Sequence, residues 1–275
     1  MPELPEVSTV VKVIRPKIIN KIIKNSEIFS DKIIKTESVN NFKNLVKDQK
    51  INNVFNKAKY IVIELDDYVI ISHLRMTGKW VVEQPNNYSY KQSWLRAEIL
   101  LDDDMMFRFY DARGFGTLDI YNKNNYLVES KLDKLGPIPM NGQTTIDYLY
   151  SKTKNSNKAI KTLLLDQNII AGLGNIYVNE VLFLSKILPD KASKLLSKEQ
   201  IKDIIHNADQ VLKKAIQMNG TTINDFESLP GVKGQYQIEL KVHLQNNKNC
   251  QVCGSKILKI QVNQRGTYYC SKCQK

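Results

Sequence analysis

Tyr60-Ile61-Val62-Ile63-Glu64-Leu65-Asp66-Asp67-Tyr68-Val69-Ile70-Ile71-Ser72-His73-Leu74 contains two strand-length apolar runs separated by a pair of aspartates. β-Branched and aromatic residues suit a pleated, half-buried surface, and the adjacent acids suit a turn. Similar runs stand on both sides, at residues 28–34, 80–83, 94–101, 105–110 and 116–120, with Asp102-Asp103-Asp104 as a further turn. Many short strands at this spacing predict an antiparallel sandwich or barrel rather than alternating βα units. Upstream, Val7, Val10, Val11 and Ile14 follow one helical face, so a helix is expected over residues 3–14. Pro5 suits its opening turn, where a missing N–H is harmless, and Pro16 is expected to end it.

Downstream the period changes. Leu135-Gly136-Pro137-Ile138-Pro139 reads as a stiff connector, which places a domain boundary at 131–145. Residues 144–150, 158–165, 176–184 and 198–218 read as helices, the third after the glycine turn Ala171-Gly172-Leu173-Gly174-Asn175. Residues 228–236 read as a loop containing Gly and Pro, and the last 26 residues, which bear the cysteines, are expected to be strand-rich. There is no internal repeat.

Composition narrows the function. A chain of 275 residues suggests about two domains and buries a sizeable core. It is 42% apolar, too much for a disordered chain, and no apolar run approaches the 18 residues of a membrane-spanning helix. The start, Met1-Pro2-Glu3-Leu4-Pro5-Glu6, lacks the basic and apolar regions of a signal peptide, so an intracellular protein is expected. The net charge of +12 favours a polyanionic partner, nucleic acid or membrane surface, unless the lysines serve solubility alone. Residues 1–130 carry 19 basic and 17 acidic side chains; residues 131–275 carry 21 and 11. The second half therefore has the footprint of an electrostatic docking surface.

All four cysteines lie in that half, as Cys250-x2-Cys253 and Cys270-x2-Cys273 with 16 residues between the pairs. Two such knuckles can close a tetrahedral zinc site, and the metal would supply the core that so short a segment lacks. Iron or a disulfide pair is the alternative. A four-sulfur site is closed, so its role is structural. Between the knuckles, Gln264-Arg265-Gly266-Thr267-Tyr268 offers a hairpin whose Arg265 suits a phosphate clamp or a solvated turn. His73, His206 and His243 have no metal-ligand spacing.

Together these segments resemble the bacterial formamidopyrimidine-DNA glycosylase family, of the type that also removes 8-oxoguanine. The resemblance spans essentially the whole chain. It is carried by the start Met1-Pro2-Glu3-Leu4-Pro5-Glu6-Val7, by His73-Leu74-Arg75-Met76-Thr77-Gly78, by Asp111-Ala112-Arg113-Gly114-Phe115-Gly116, by Gly172-Leu173-Gly174-Asn175-Ile176-Tyr177 with Glu180, and by the four-cysteine ribbon. The PELPE start favours this branch over the related endonuclease VIII-like branch. It implies a multidomain α+β fold: an N-terminal helix plus antiparallel β-sandwich, then a helical helix–two-turn–helix domain with a C-terminal zinc ribbon. The implied boundaries are 1–130 for the catalytic sandwich, 131–145 for the linker, 146–240 for the DNA-binding domain with its lesion-capping loop, and 241–275 for the ribbon.

The resemblance also assigns roles. With Met1 removed, Pro2 would carry a secondary amine that titrates near pH 8, able to attack the sugar C1′ and form a Schiff base. Glu3 would act as acid and base, and Glu6 would position the amine and the helix terminus. Without the resemblance both are ordinary acids at a helix start. Lys59 would approach the phosphates near the lesion, and Lys161 would be a supporting basic residue facing the active region; each also reads as a surface lysine. Met76, Arg113 and Phe115 would fill the gap left by a flipped base. Met76 also reads as core, although Arg75, Thr77 and Gly78 favour a turn. His73 would order that turn beside DNA. Asn175 would pinch the backbone with Lys59 and Arg265, or cap its own helix. Residues 229–236 resemble the lesion-capping loop. Ser8, Gly114 and His243-Leu244 depart from the family's usual residues.

The expected activity is a monomeric glycosylase with lyase activity, excising oxidised purines from damaged double-stranded DNA and cleaving by β,δ-elimination. It implies one structural zinc, no redox or organic cofactor, no membrane, no obligate protein partner, and a bacterial, cytoplasmic, nucleoid-associated location. A preference for oxidised pyrimidines, a noncatalytic binder of damaged DNA and a structural zinc-ribbon protein are the alternatives.

Overall fold

A capped start and a continuous apolar stripe explain the first helix, α1 (Leu4–Ile18). The Glu6 carboxylate accepts the Glu3 N–H, and Thr9 Oγ1 donates to the Pro5 carbonyl. Val7, Val10, Ile14 and Ile18 line its buried face. The helix runs past Pro16, which the sequence reading placed at its end. Proline in a helix interior costs about 3 kcal/mol. Full burial of Ile18 contributes about 1.5–3 kcal/mol and offsets much of that cost.

The computed structural model describes residues 1–222 and 233–275. They form two units, Met1–Lys134 with Asn219–Gln235, and Leu135–Met218 with Tyr236–Lys275. In the first unit, α1 is followed by β1 (Ile23–Ile28), α2 (Val39–Val46), β2 (Asn53–Lys57), β3 (Tyr60–Glu64), β4 (Tyr68–His73), β5 (Lys79–Glu83), β6 (Leu95–Leu101), β7 (Met106–Tyr110), β8 (Thr117–Asn122) and the short α3 (Tyr126–Glu129). The strands make two antiparallel four-stranded sheets, β1-β6-β7-β5 and β2-β3-β4-β8. One core joins them: Trp80, Phe107 and Phe109 from the first sheet, Ile61, Ile63, Ile70 and Leu118 from the second, and the α1 stripe. This is the expected sandwich.

One local reading changes. The run at 28–34 is not a strand. The chain leaves the sheet after Phe29 bonds the Arg96 carbonyl, and residues 31–33 make a 3-10 turn that buries Ile33 and Ile34. Ser30 and Asp31 favour such a departure. In addition, α2, capped by Ser38 with Phe42 and Val46 buried one turn apart, and β2 complete the unit.

The second unit holds α4 (Ile146–Thr153), α5 (Ile160–Leu164), α6 (Asn175–Leu184), α7 (Lys198–Gln217) and a hairpin of β9 (Leu258–Val262) with β10 (Arg265–Tyr269). α7 opens on a Ser197/Gln200 capping box and buries Ile201, Ile204, Ala208, Val211, Leu212 and Ala215 along one face. Residues 219–222 and 233–235 group with the first unit.

Candidate functional site

The chemistry of the first unit gathers at the start of α1, where Pro2, Glu3 and Glu6 are all buried. Glu6 Oε2 accepts the Glu3 N–H at 2.9 Å. Its Oε1 accepts the Thr221 N–H at 2.7 Å and the Thr221 hydroxyl at 3.0 Å. Gly220, at φ +75°, lies so close that an added Cβ would stand 2.6 Å from the same oxygen. Glycine is required there both for the backbone angle and for the contact.

The N-terminal amine lies in the field of four charged side chains. Burial is the largest influence and holds the amine below the usual α-amino value. Glu3 and Glu6 oppose this, and Lys59 and Arg113 add to it. A depressed amine is a better nucleophile near neutral pH because more of it is unprotonated. The amine is that of Met1; the Pro2 nitrogen is an amide while Met1 precedes it.

Lys59 reaches this group from the two-residue turn between β2 and β3, where Lys57 pairs with Tyr60. Ala58 takes a left-handed φ of +51°, and Asn56 Nδ2 donates to its carbonyl at 3.3 Å. Ser8, one of the departures from the family pattern, donates its hydroxyl to Asn56 Oδ1 and so links α1 to that turn. Lys59 itself is buried.

His73 ends β4. Its Nδ1 accepts the Arg75 N–H at 2.9 Å, and its ring meets Tyr60 edge-on. Burial first, then Arg75 and Lys59, push its pKa down to about 3, so the ring stays neutral. It shapes the following turn, residues 75–77, in which Arg75 is left-handed and Met76 is 40% exposed. Met76 is therefore not core. On the turn between β7 and β8, Arg113 lies over the Phe115 ring at 5.1 Å, and Phe115 is 57% exposed. Gly114 between them takes φ +67°, and a Cβ there would meet Arg96 Nε at 3.9 Å, an ordinary contact. Two large apolar side chains and a guanidinium thus project from neighbouring loops of one unit.

The second unit brings together Lys161, Asn175 and Arg265. The turn between β9 and β10 has Asn263 and Gln264 both left-handed, the geometry of a tight hairpin, and Arg265 follows it, exposed. Two side chains hold the Gly266 carbonyl: Lys161 Nζ at 3.2 Å and Asn175 Nδ2 at 3.1 Å. Lys161 also donates to Thr267 Oγ1 at 2.7 Å. The structure places Lys161 wholly buried under the hairpin, with its ammonium on backbone and hydroxyl oxygens rather than at a surface. Asn175 is the first residue of α6 and Gly174 is its cap, so the capping reading of Asn175 gives way to a hairpin contact.

The four cysteine sulfurs all lie within 4.8 Å of one another. Cys250–Cys273 is 3.8 Å and Cys253–Cys270 is 3.5 Å. A tetrahedron with zinc–sulfur bonds of about 2.3 Å has edges of about 3.8 Å, so the set fits one zinc. Cys250 and Cys270 are buried with Ile257, Tyr268, Val242 and Phe183.

Sequence reasoning missed several residues that build these sites. Asp111 and Thr77 lie inside the quoted motifs and join the Met76 and Arg113 turns. Glu180 accepts the N–H groups of Lys241, Val242 and His243 at 2.8, 3.1 and 2.7 Å, fixing the approach to the ribbon. Thr221 and Gly220 carried no local signal. Of the expected lesion-capping loop, residues 229–232 lie outside the described residues; Tyr236 is buried in a 3-10 turn (Tyr236–Glu239).

Similarity to known proteins extends along the whole chain. Residues 1–118 match the family model of the formamidopyrimidine-DNA glycosylase N-terminal domain, residues 135–227 that of the formamidopyrimidine-DNA glycosylase H2TH domain, and residues 247–275 that of the zinc finger found in FPG and IleRS. The formamidopyrimidine-DNA glycosylase of Oceanobacillus iheyensis is 40% identical, over all of this chain and 98% of that one. The protein of the same name from Mycoplasma mobile is 40% identical over all of this chain and 99% of its own length. A crystal structure of a Lactococcus lactis FPG mutant in complex with DNA containing Fapy-dG superposes with a TM-score of 0.93 at 33% identity, covering both chains fully. The Lactococcus lactis Fpg complex with DNA containing an abasic site gives 0.92 at 32% identity, again over both whole chains. The cysteine cluster is thus a zinc finger with one structural zinc. Matched in order from its first residue to its last, and in company with relatives of full length, the chain belongs to the formamidopyrimidine-DNA glycosylase family.

Proposed function

We propose that the chain excises oxidised purines, 8-oxoguanine and formamidopyrimidines, from duplex DNA and then cleaves the abasic strand. The observation that carries this reading is the partly buried N-terminal amine set among Glu3, Glu6, Lys59 and Arg113. Removal of Met1 converts the Pro2 nitrogen into a secondary amine in the same surroundings. That amine attacks C1′, and the glycosidic C1′–N bond breaks with its electron pair leaving on the base. Glu3 protonates the ring oxygen, the sugar opens, and an iminium remains between proline and C1′. Loss of a C2′ proton then expels the 3′ phosphate, a second elimination expels the 5′ phosphate, and water releases the proline. These steps balance without a redox or organic cofactor. The zinc finger shapes the DNA grip and takes no part in the bond changes.

Around this centre, Lys59 meets phosphates beside the lesion, and His73 holds the Met76 turn against DNA. Met76, Arg113 and Phe115 occupy the gap left by the extruded base. Asn175 and Arg265 grip the backbone, and Lys161 supports the Arg265 hairpin. The functional regions are 1–130, 131–145, 146–240 and 241–275. The protein acts as a monomer in the bacterial cytoplasm, at the nucleoid. No helix among the described residues is long and apolar enough to cross a membrane.

Borohydride trapping tests the reading directly. Protein lacking Met1 is expected to form a covalent adduct with an 8-oxoguanine duplex, and protein retaining Met1 is expected to form none. Tight binding without an adduct or cleavage by the processed protein would leave a noncatalytic binder of damaged DNA instead.

A further inference from the structure

The Met76 turn joins β4 to β5, and the Arg113–Phe115 turn joins β7 to β8. Each crosses from one sheet to the other, because β4 pairs with β8 while β5 pairs with β7. The two turns therefore run side by side at one edge of the sandwich. His73 pairs with Thr117 below one side, and Lys79 pairs with Tyr110 below the other. Between the turns themselves the described contacts are made by side chains.

Asp111 makes the tie. Its carboxylate is buried, and among the described residues no side-chain cation pairs with it. Oδ1 accepts the Thr77 hydroxyl and, at 3.1 Å, the Arg113 N–H; Oδ2 accepts the Gly116 N–H at 2.7 Å. The Arg113 N–H is shared with Thr77 Oγ1 at 3.2 Å, which closes a ring across both turns. The backbone of Asp111 is anchored in turn: its N–H donates to the Trp94 carbonyl at 2.7 Å, and Arg96 Nε donates to its carbonyl at 2.9 Å. A buried carboxylate that lacks these donors is costly, so the arrangement is strongly specified.

The floor beneath the tie is the buried ring of Phe109. A Cβ on Gly116 would stand 2.5 Å from that ring and 3.1 Å from Asp111 Oδ2. A Cβ on Gly78 would stand 2.5 Å from the Leu74 carbonyl oxygen and 2.9 Å from the same ring. The two glycines let both turns settle onto one aromatic face, where the carboxylate and hydroxyl lock them together.

We infer that Asp111, acting through Thr77, is a positioning residue that makes Met76, Arg113 and Phe115 one preorganised insert for opening duplex DNA at a lesion. The inference rests on the proposed glycosylase function. It adds that the three exposed side chains work as a unit because their backbones are fixed to one another. Binding and insertion gain from such preorganisation, since less ordering remains to be done on the DNA.

The test uses full-length, zinc-loaded protein lacking Met1. Asp111→Asn keeps the shape but turns one acceptor into a donor facing N–H or O–H groups. Thr77→Val removes the hydroxyl at equal volume, and Thr77→Ser retains it. Three readouts are compared: single-turnover excision of 8-oxoguanine from a duplex, borohydride trapping on a single-stranded preformed abasic site, and fluorescence of a 2-aminopurine beside the lesion as the stack opens. Asp111→Asn and Thr77→Val are expected to slow duplex excision and the fluorescence change roughly tenfold. Single-strand trapping should stay within about twofold of the parent, and Thr77→Ser should restore the duplex rates. Unchanged duplex rates in both variants would overturn the inference. So would a parallel loss of duplex excision and single-strand trapping, which would mark a general structural role. If the parent itself fails to trap, the proposed chemistry is wrong; the fluorescence readout still decides the tie, because stack opening precedes bond cleavage.

Discussion

Among the described residues Glu6 and Asp111 each accept at least three donors while buried, and these bonds fix backbone that carries candidate site side chains. The first frames the chain start, where electrostatics set the reactivity of the amine. Trapping on abasic DNA should rise with pH as the amine loses its proton, with a midpoint below the ordinary α-amino value of about 8. The sign of each neighbour follows from its charge. Lys59 lowers the amine's pKa, so Lys59→Met should move the midpoint up; Glu3 raises it, so Glu3→Gln should move it down. Equal midpoints in parent and variants would remove these side chains from the environment of the reacting amine. Leu244 offers a stability prediction at the same scale. It is left-handed at φ +58° and exposed, a backbone conformation that glycine adopts without steric cost. A non-glycine residue in that region costs about 1–2 kcal/mol, and glycine loses about 0.5–1 kcal/mol through the entropy of the unfolded chain. Leu244→Gly should therefore stabilise the protein by up to about 1 kcal/mol in denaturant unfolding.

At the scale of elements, what sequence could reveal depended on whether the signal was local. α1, the hairpin over residues 60–74, α7 and the cysteine knuckles carry their periodicity or spacing within a few residues, and all were legible. β1 and β2 were not, because their polar residues Lys24, Asn25, Asn53 and Asn56 break the apolar runs, and only pairing with β6 and β3 makes them strands. The same limit applied to the site. Motifs marked Met76, Arg113 and Phe115, but nothing local marked Thr221 as the partner of Glu6, 215 residues away in sequence. Lys161 read as a supporting basic residue facing the active region or as a surface lysine, and its acceptors, Gly266 and Thr267, which lie over 100 residues later, carried no local signal. The ribbon itself is too small to hold its shape by packing, with Cys250, Ile257, Tyr268 and Cys270 among its few buried side chains. Removing zinc with a chelator should unfold residues 247–275 and abolish tight DNA binding while most far-UV circular dichroism signal remains. Undiminished binding by metal-free protein would show that the Arg265 hairpin does not depend on the metal.

At the scale of the whole molecule, charge and chemistry are divided. The half that begins with the reactive amine is nearly neutral, with 19 basic and 17 acidic side chains; the half with the hairpin and ribbon carries 21 basic against 11 acidic. Near neutrality of that half leaves the protonation of the amine to its burial and to its charged neighbours Glu3, Glu6, Lys59 and Arg113. Excess positive charge suits binding to a phosphate backbone, where affinity comes from released counterions and falls steeply with salt. Arg265 is the sharpest test of this division. It is exposed at the hairpin tip, but the hairpin is held by Lys161 and Asn175 from below, so removing its guanidinium leaves those anchors intact. Arg265→Ala should weaken binding to damaged and undamaged duplexes alike, and should reduce the slope of log affinity against log salt by about one. Trapping on saturating abasic DNA should be unchanged, since the amine and its neighbours lie in the other half. A variant with an unchanged salt slope would remove Arg265 from the phosphate contacts. A variant that lost affinity for the lesion alone would make it a reader of damage instead of a backbone clamp.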